Sequence, residues 1–143
     1  MAKKLFFLVI ISLLFTYGCI GSGSEDEKQI KELLYSNIES INNEDLSAYM
    51  ESVHPEVDSE SYNFTEKMMM EIFETYDMSC KIEKIDIIKI KEDEATVEVV
   101  QTCKKIIGPE YNVNKGTVIH KLKKYNGEWK FYESKLKSVE YLN

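Results

Sequence analysis

VNKGTVIHKLKKYNGEWKFYESKL, residues Val113–Leu136, decides the fold. Asn126-Gly127 stands between two runs in which apolar and polar residues alternate. Asn-Gly is the strongest short signal for a two-residue type I′ hairpin turn, because both positions need a positive φ. Val113–Tyr125 and Glu128–Leu136 are therefore predicted strands of one hairpin. A two-residue loop also sets their register: Tyr125 faces Glu128, Lys124 faces Trp129, Leu122 faces Phe131 and His120 faces Glu133. Side chains alternate across a strand, so Val118, His120, Leu122, Trp129, Phe131 and Glu133 share a face. Lys121, Lys123, Lys130, Tyr132 and Ser134 share the other. The first face is the more apolar and should meet the core.

Upstream, Cys80–Lys91 and Ala95–Ile106 flank Glu92-Asp93-Glu94 and read as a second, longer hairpin. Both runs change phase midway. Ile85 and Ile87 give way to Ile88 and Ile90, and Val97 and Val99 to Val100 and Thr102. A bulge and bend at one level of both strands would produce this. Gly108-Pro109 ends the second of them.

Before residue 79 the apolar period is helical. Ile30, Leu33, Leu34, Ile38 and Ile41 make one stripe; Leu46, Tyr49, Met50 and Val53 make another, with Asn43 as its expected cap. His54-Pro55 ends this second helix, because the residue before proline is pushed out of the α region. After a polar loop, Glu56 to Tyr62, a third helix is expected over about Glu66 to Tyr76, capped by Thr65 or Asn63 and burying Met68, Met69, Ile72, Phe73 and Tyr76. Three helices followed by four antiparallel strands is an α+β arrangement: three N-terminal helices packed on a strongly curved four-stranded antiparallel sheet.

The N-terminus carries the address. Lys3 and Lys4 precede an apolar run from Leu5 to Phe15, and Gly18-Cys19 follows. This is the layout of an export signal, and the run is shorter than the ~18–20 residues of a membrane-spanning helix. Gly18-Cys19 resembles the lipobox of prokaryotic lipoproteins, with Thr16 and Tyr17 departing from its usual residues. That resemblance implies cleavage after a signal peptide of residues 1–18, lipidation of Cys19 and anchoring to the outer face of the cytoplasmic membrane. A cleaved, unlipidated form and an uncleaved anchor are the alternatives. Residues 19–26, with Gly21-Ser22-Gly23-Ser24 followed by acids, read as the lipidated cysteine and a flexible tether. Residues 27–143 then make a single domain, since this length supports one core and not two.

Composition narrows the function. All 18 basic residues are lysine. Without the guanidinium fork, a dedicated phosphate or nucleic-acid reader is not expected. Residues 20–79 carry 3 lysines and 15 acids, whereas 80–143 carry 13 lysines and 10 acids. Outside the reducing cytoplasm, Cys80 and Cys103 form an even pair that can bridge; two free buried thiols, or a metal site with His120 or His54, are the other readings. No CxxC or HxxxH spacing supports the metal, and no glycine loop or nucleophile elbow is present, so neither a metal nor a cofactor is expected. His54, in the His-Pro turn, reads as structural.

Three segments together are similar to the nuclear transport factor 2-like superfamily, within the cystatin-like fold. They are Glu44-Asp45-Leu46 through Tyr49 to Val53-His54-Pro55-Glu56-Val57, then Lys91 to Val97, and Tyr125-Asn126-Gly127-Glu128-Trp129-Lys130-Phe131. The resemblance covers about residues 27–140. It implies a cone whose interior often holds a ligand, among members that include isomerases, cyclases, dehydratases and non-catalytic binding modules. The usual short hairpin between the second and third helices has almost no room in residues 57–63, as in the trimmed, often lipid-anchored variants.

One constellation bears on chemistry. His120 opposite Glu133 would put an imidazole beside a carboxylate on the concave face, where a general acid–base pair or a polar anchor for a ligand could form. Trp129, Phe131 and Tyr49 would complete the pocket. The structural alternative is an ordinary cross-strand charge pair. The primary expectation is a membrane-anchored extracytoplasmic module that holds a small molecule or a protein partner without catalysis. The runner-up is a cyclase- or isomerase-type enzyme with Glu133 as base and His120 as its partner. A homodimer through the convex face is a third reading, one that Tyr132 amid Lys121, Lys123 and Lys130 makes poorly apolar.

Overall fold

Seven elements form over residues 22–142, the part of the chain that the computed structural model describes. They are α1 (Ser22–Asn42), α2 (Leu46–Glu51), α3 (Ser59–Thr75), β1 (Asp77–Lys91), β2 (Glu94–Ile107), β3 (Asn114–Tyr125) and β4 (Glu128–Tyr141). The expected signal peptide, residues 1–18, and Cys19 lie outside the described residues. The strands form one antiparallel meander in the order β1-β2-β3-β4, with the three helices packed against its curled inner side. This is the α+β architecture that the sequence pattern predicts.

The Asn126-Gly127 turn forms with φ of 51° and 83°, and the pairs beside it are those the turn dictates: Tyr125↔Glu128, Lys124↔Trp129 and Leu122↔Phe131. The next step breaks the pattern. Lys121 pairs with Glu133 and His120 with Ser134, which leaves Tyr132 as an extra residue in β4. This bulge shifts the β4 side chains from Glu133 to Leu136 to the opposite face, so the expected His120–Glu133 opposition does not occur. A second extra residue, Lys137, lies between the Val118↔Leu136 and Thr117↔Ser138 pairs.

β1 has the same character. Extra residues at Glu83 and Ile88 let Ile82, Ile85, Ile87 and Ile90 all turn inward. β2 does not share these shifts. It holds one register with β3 from Glu94↔Lys123 to Cys103↔Asn114, and Ala95, Val97 and Val99 point inward in strict alternation. The phase change read into Val100 and Thr102 is therefore absent; these two face outward because their strand is regular and its partner bends.

The concave face carries the core. Ile30 and Leu34 of α1 pack on Ala95, Val97, Val99, Leu122, Trp129 and Phe131. Farther along, Ile38 meets Met78 and Cys80. Cys80 and Cys103 pair directly across β1 and β2 and are joined by a disulfide. Beside it the Asn42 side chain copies a neighbouring strand, accepting from Cys80 N at 2.7 Å and donating to Cys80 O at 2.9 Å.

Three local expectations are corrected. α1 starts inside the segment read as tether: Ser22 onward is helical, and Asp26 is buried because it accepts from the Trp129 indole. The cap of α2 is Asp45, which accepts from Ala48 N, and not Asn43. Asp58 caps α3 by accepting from Ser61 N, so that helix begins seven residues before Glu66. Thr65 lies mid-helix, its hydroxyl donating to Ser61 O at 2.9 Å. Of the expected core residues of α3 only Met69 is buried, and Met68 is exposed.

Candidate functional site

α3 packs on α2 and leaves a groove between itself and the β3–β4 hairpin. The connection from α2 explains the geometry. Ser52–His54 adds to the outer edge of β4 as a short parallel bridge, with His54 N donating to Phe131 O and Phe131 N donating to Ser52 O, each at 2.8 Å. His54 is 2% exposed, its Nδ1 accepts from Glu56 N, and its ring packs edge-on against Tyr125 and Tyr132. It is structural, as its place in the His-Pro turn suggests. Anchored there, the chain turns at Asp58 and α3 runs along the open side of the sheet.

The groove has a volume of 780 Å³. Phe131 forms part of its floor and Tyr49 part of its wall, with Phe64 and Met68 of α3 along the rim. Tyr49 packs edge-on against Phe73, and burial raises the pKa of its hydroxyl. Asn37 donates to Ser52 Oγ at 3.1 Å, which in turn donates to Tyr49 O at 2.6 Å. Asp58 and Glu60 stand at the solvent side.

His120 lines the groove from β3. Its Nδ1 lies 2.7 Å from Ser134 Oγ and its ring meets Phe131 edge-on, with centroids 4.9 Å apart. Burial lowers its pKa to about 4, so the imidazole is neutral at pH 7. Glu133 is not its partner. The Tyr132 bulge turns the Glu133 carboxylate outward, where Oε2 accepts from Lys121 Nζ at 2.6 Å. That bond holds the carboxyl below its usual pKa and the lysine above its own. A base tied to an exposed lysine and an imidazole tied to a serine on the other face do not make an acid–base couple.

Of the residues expected in the pocket, His120, Phe131 and Tyr49 line the groove, and Glu133 borders it at the bulge. Trp129 does not. It is buried at the α1 end of the sheet, where Asp26 accepts from its indole, and it borders a separate depression of 480 Å³ between α1, α2 and the Asn126-Gly127 turn. Among the groove residues not expected there, Ser134 was hidden by the bulge and Phe64 by the late placement of the α3 start, while Met68 was expected on the buried side of its helix. Among the described residues, no group of three or more His, Cys, Asp or Glu side chains is placed to hold a metal ion, and no buried side-chain polar atom lacks a partner.

Comparison with known proteins gives two kinds of likeness. A family profile described as the anti-sigma-I factor RsgI9, C-terminal domain, matches residues 32–142. The anti-sigma-I factor RsgI9 of Acetivibrio thermocellus is 30% identical over 110 residues, which is 77% of this chain and 15% of that protein's length. Among solved structures, a cystatin-like protein of unknown function from Nostoc punctiforme PCC 73102 superposes with a TM-score of 0.65 at 18% identity, over 82% of this chain and 92% of that one. An NTF2-like protein of unknown function from Pseudomonas putida KT2440 does so with a TM-score of 0.67 at 12% identity, over 81% and 88%. These structures establish the cystatin-like, NTF2-like fold and nothing about activity.

Proposed function

We infer a function from one premise: the chain belongs to the family of the anti-sigma-I factor RsgI9 C-terminal domain. It is a regulatory interaction module, and its working surface is the groove between α3 and the β3–β4 hairpin. The leader that ends at Gly18-Cys19 supports a lipid-anchored position on the outer face of the cytoplasmic membrane. From there the domain meets a protein partner or a small molecule outside the cell, and any control over transcription passes through other components. The relative's name concerns a protein several times longer than this chain, and contact with a sigma factor is not required of a domain placed outside the membrane.

The observation that carries this reading is the state of the groove's polar groups. Its imidazole is neutral and bonded to Ser134, and the nearest strand carboxylate, Glu133, is bonded to Lys121 on the other side. Such a groove favours holding over catalysis, because its imidazole and its nearest strand carboxylate are bonded to separate partners and not to each other. The cyclase or isomerase alternative loses the His120–Glu133 pair on which it depended.

A photo-crosslinking residue at Phe64, on the groove rim, tests the reading in intact cells, with the same residue at Tyr35 of α1 as control. The expected result is a discrete adduct from Phe64 and none from Tyr35. No adduct from either site, or the same adducts from both, would remove the groove from consideration. Release of the Cys19→Ala chain from the membrane fraction is the matching result for the anchor, and its retention there would overturn it.

A further inference from the structure

Among the described residues, the outer edge of β4 is occupied at one point only. Ser52–His54 pairs with Phe131, and from Glu133 to Tyr141 every residue is exposed. Nine residues of open strand edge invite another strand, and proteins normally guard such an edge with charge. Here two of the four charged side chains along it, Glu133 and Lys137, are engaged within the chain, which leaves Lys135 and Glu140. Lys137 reaches back across the convex side to Glu98, with 2.6 Å between Nζ and Oε2. On the concave side Leu136 is 58% exposed and Val139 39% exposed. The bulge at Lys137 keeps these two, three positions apart, on one face.

We propose that the β4 edge pairs antiparallel with β4 of a second copy of this chain, joining two sheets into one of eight strands. The occupant is argued from self-complementarity. If the two-fold axis falls between Lys137 and Ser138, Leu136 lies opposite the second copy's Val139, and Lys135 opposite its Glu140. Both pairs match faces: Leu136 and Val139 are concave, while Lys135 and Glu140 are convex. The axis repeats each pair, so one apolar cluster of four side chains is flanked by two lysine–glutamate pairs. Moving the axis by half a residue sets Leu136 opposite Ser138 and Lys135 opposite Val139, which mismatches every face. Of these two registers, only the first satisfies pattern and charge together. This surface is separate from the groove floor, and the inference does not rest on the function proposed above.

A charge-swap series tests the register. Sedimentation equilibrium of the full chain in detergent keeps residues 1–21 common to every sample. The wild type is expected to dimerise reversibly. Lys135→Glu and Glu140→Lys each set two like-charge pairs across the interface and should weaken the dimer by about tenfold. The double variant K135E/E140K should regain wild-type affinity. A strictly monomeric wild type would overturn the proposal. So would a dimer that neither single variant weakens, because such a dimer must use another surface. Circular dichroism of each variant confirms that the fold is intact, since both positions are exposed and unpaired within one chain.

Discussion

The Trp129 indole donates to the Asp26 carboxylate at 3.1 Å, joining residues 103 positions apart and fixing the start of α1 to the turn end of the sheet. Lys124 Nζ completes the arrangement, 2.6 Å from the same carboxylate and 5.0 Å from the centre of the indole ring. Asp26→Ala leaves a buried indole N–H and a largely shielded ammonium without their acceptor. The expected cost is about 2–3 kcal/mol, read as a lower urea midpoint. Asp26→Asn keeps an acceptor for the indole and should lose less.

Asn42 caps the outer edge of β1 with one side chain that both donates to and accepts from Cys80. Asn42→Ala should cost about 1–3 kcal/mol. Amide exchange at Cys80 separates this role from general packing: it should accelerate in Asn42→Ala and stay near wild type in Asn42→Asp, which retains the acceptor.

Acid should weaken the fold through His120. Its pKa lies at about 4 in the native chain against an ordinary 6.5, so the unfolded state takes up a proton first as pH falls. The neutral ring's contribution is complete above about pH 6.5 and is lost progressively toward pH 4. Asp58 and Glu133, whose pKa values are lowered by their hydrogen bonds, add losses only below the ordinary carboxylate range. Urea midpoints measured between pH 7 and pH 5 should fall for the wild type and change little for His120→Asn. Parallel slopes for the two would assign the acid sensitivity elsewhere.

Gly108 and Gly127 both have positive φ, at 129° and 83°, but differ in what surrounds them. A Cβ at Gly108 would lie 2.7 Å from Thr75 O and from Tyr76 Cδ1, whereas one at Gly127 would meet nothing within 4 Å. Gly127→Ala should cost about 1 kcal/mol from backbone strain alone. Gly108→Ala should cost at least about 2 kcal/mol, because backbone at the end of α3 must also move. Equal thermal shifts for the two variants would contradict this.

The sequence made the hairpins legible because their turns announce themselves, and Asn126-Gly127 fixed the register as far as Leu122↔Phe131. It could not announce the bulge at Tyr132, since an extra residue in a strand whose outer half is exposed leaves no mark on the hydrophobic pattern. That one residue separates the expected His120–Glu133 pair from the observed His120–Ser134 bond. In β1, by contrast, the adjacent Ile87 and Ile88 could not both be core, and the irregularity showed in the residues themselves. The starts of α1 and α3 were missed for a shared reason. Local composition suggested a tether and a loop, and the deciding contacts, Trp129 for Asp26 and the Asp58 cap for α3, lie either far away or among several equivalent capping candidates.

β2 and β3 keep step without interruption, while β1 and β4 each carry two extra residues. The centre of the sheet is thus regular and its irregularities are confined to its margins. A residue gained or lost in either outer strand alters how far that flank curls, and in β4 the wall of the groove, yet leaves Val97, Val99 and Leu122 in place. The margins of the sheet can in this way change shape without rebuilding the interior on which the fold's stability depends.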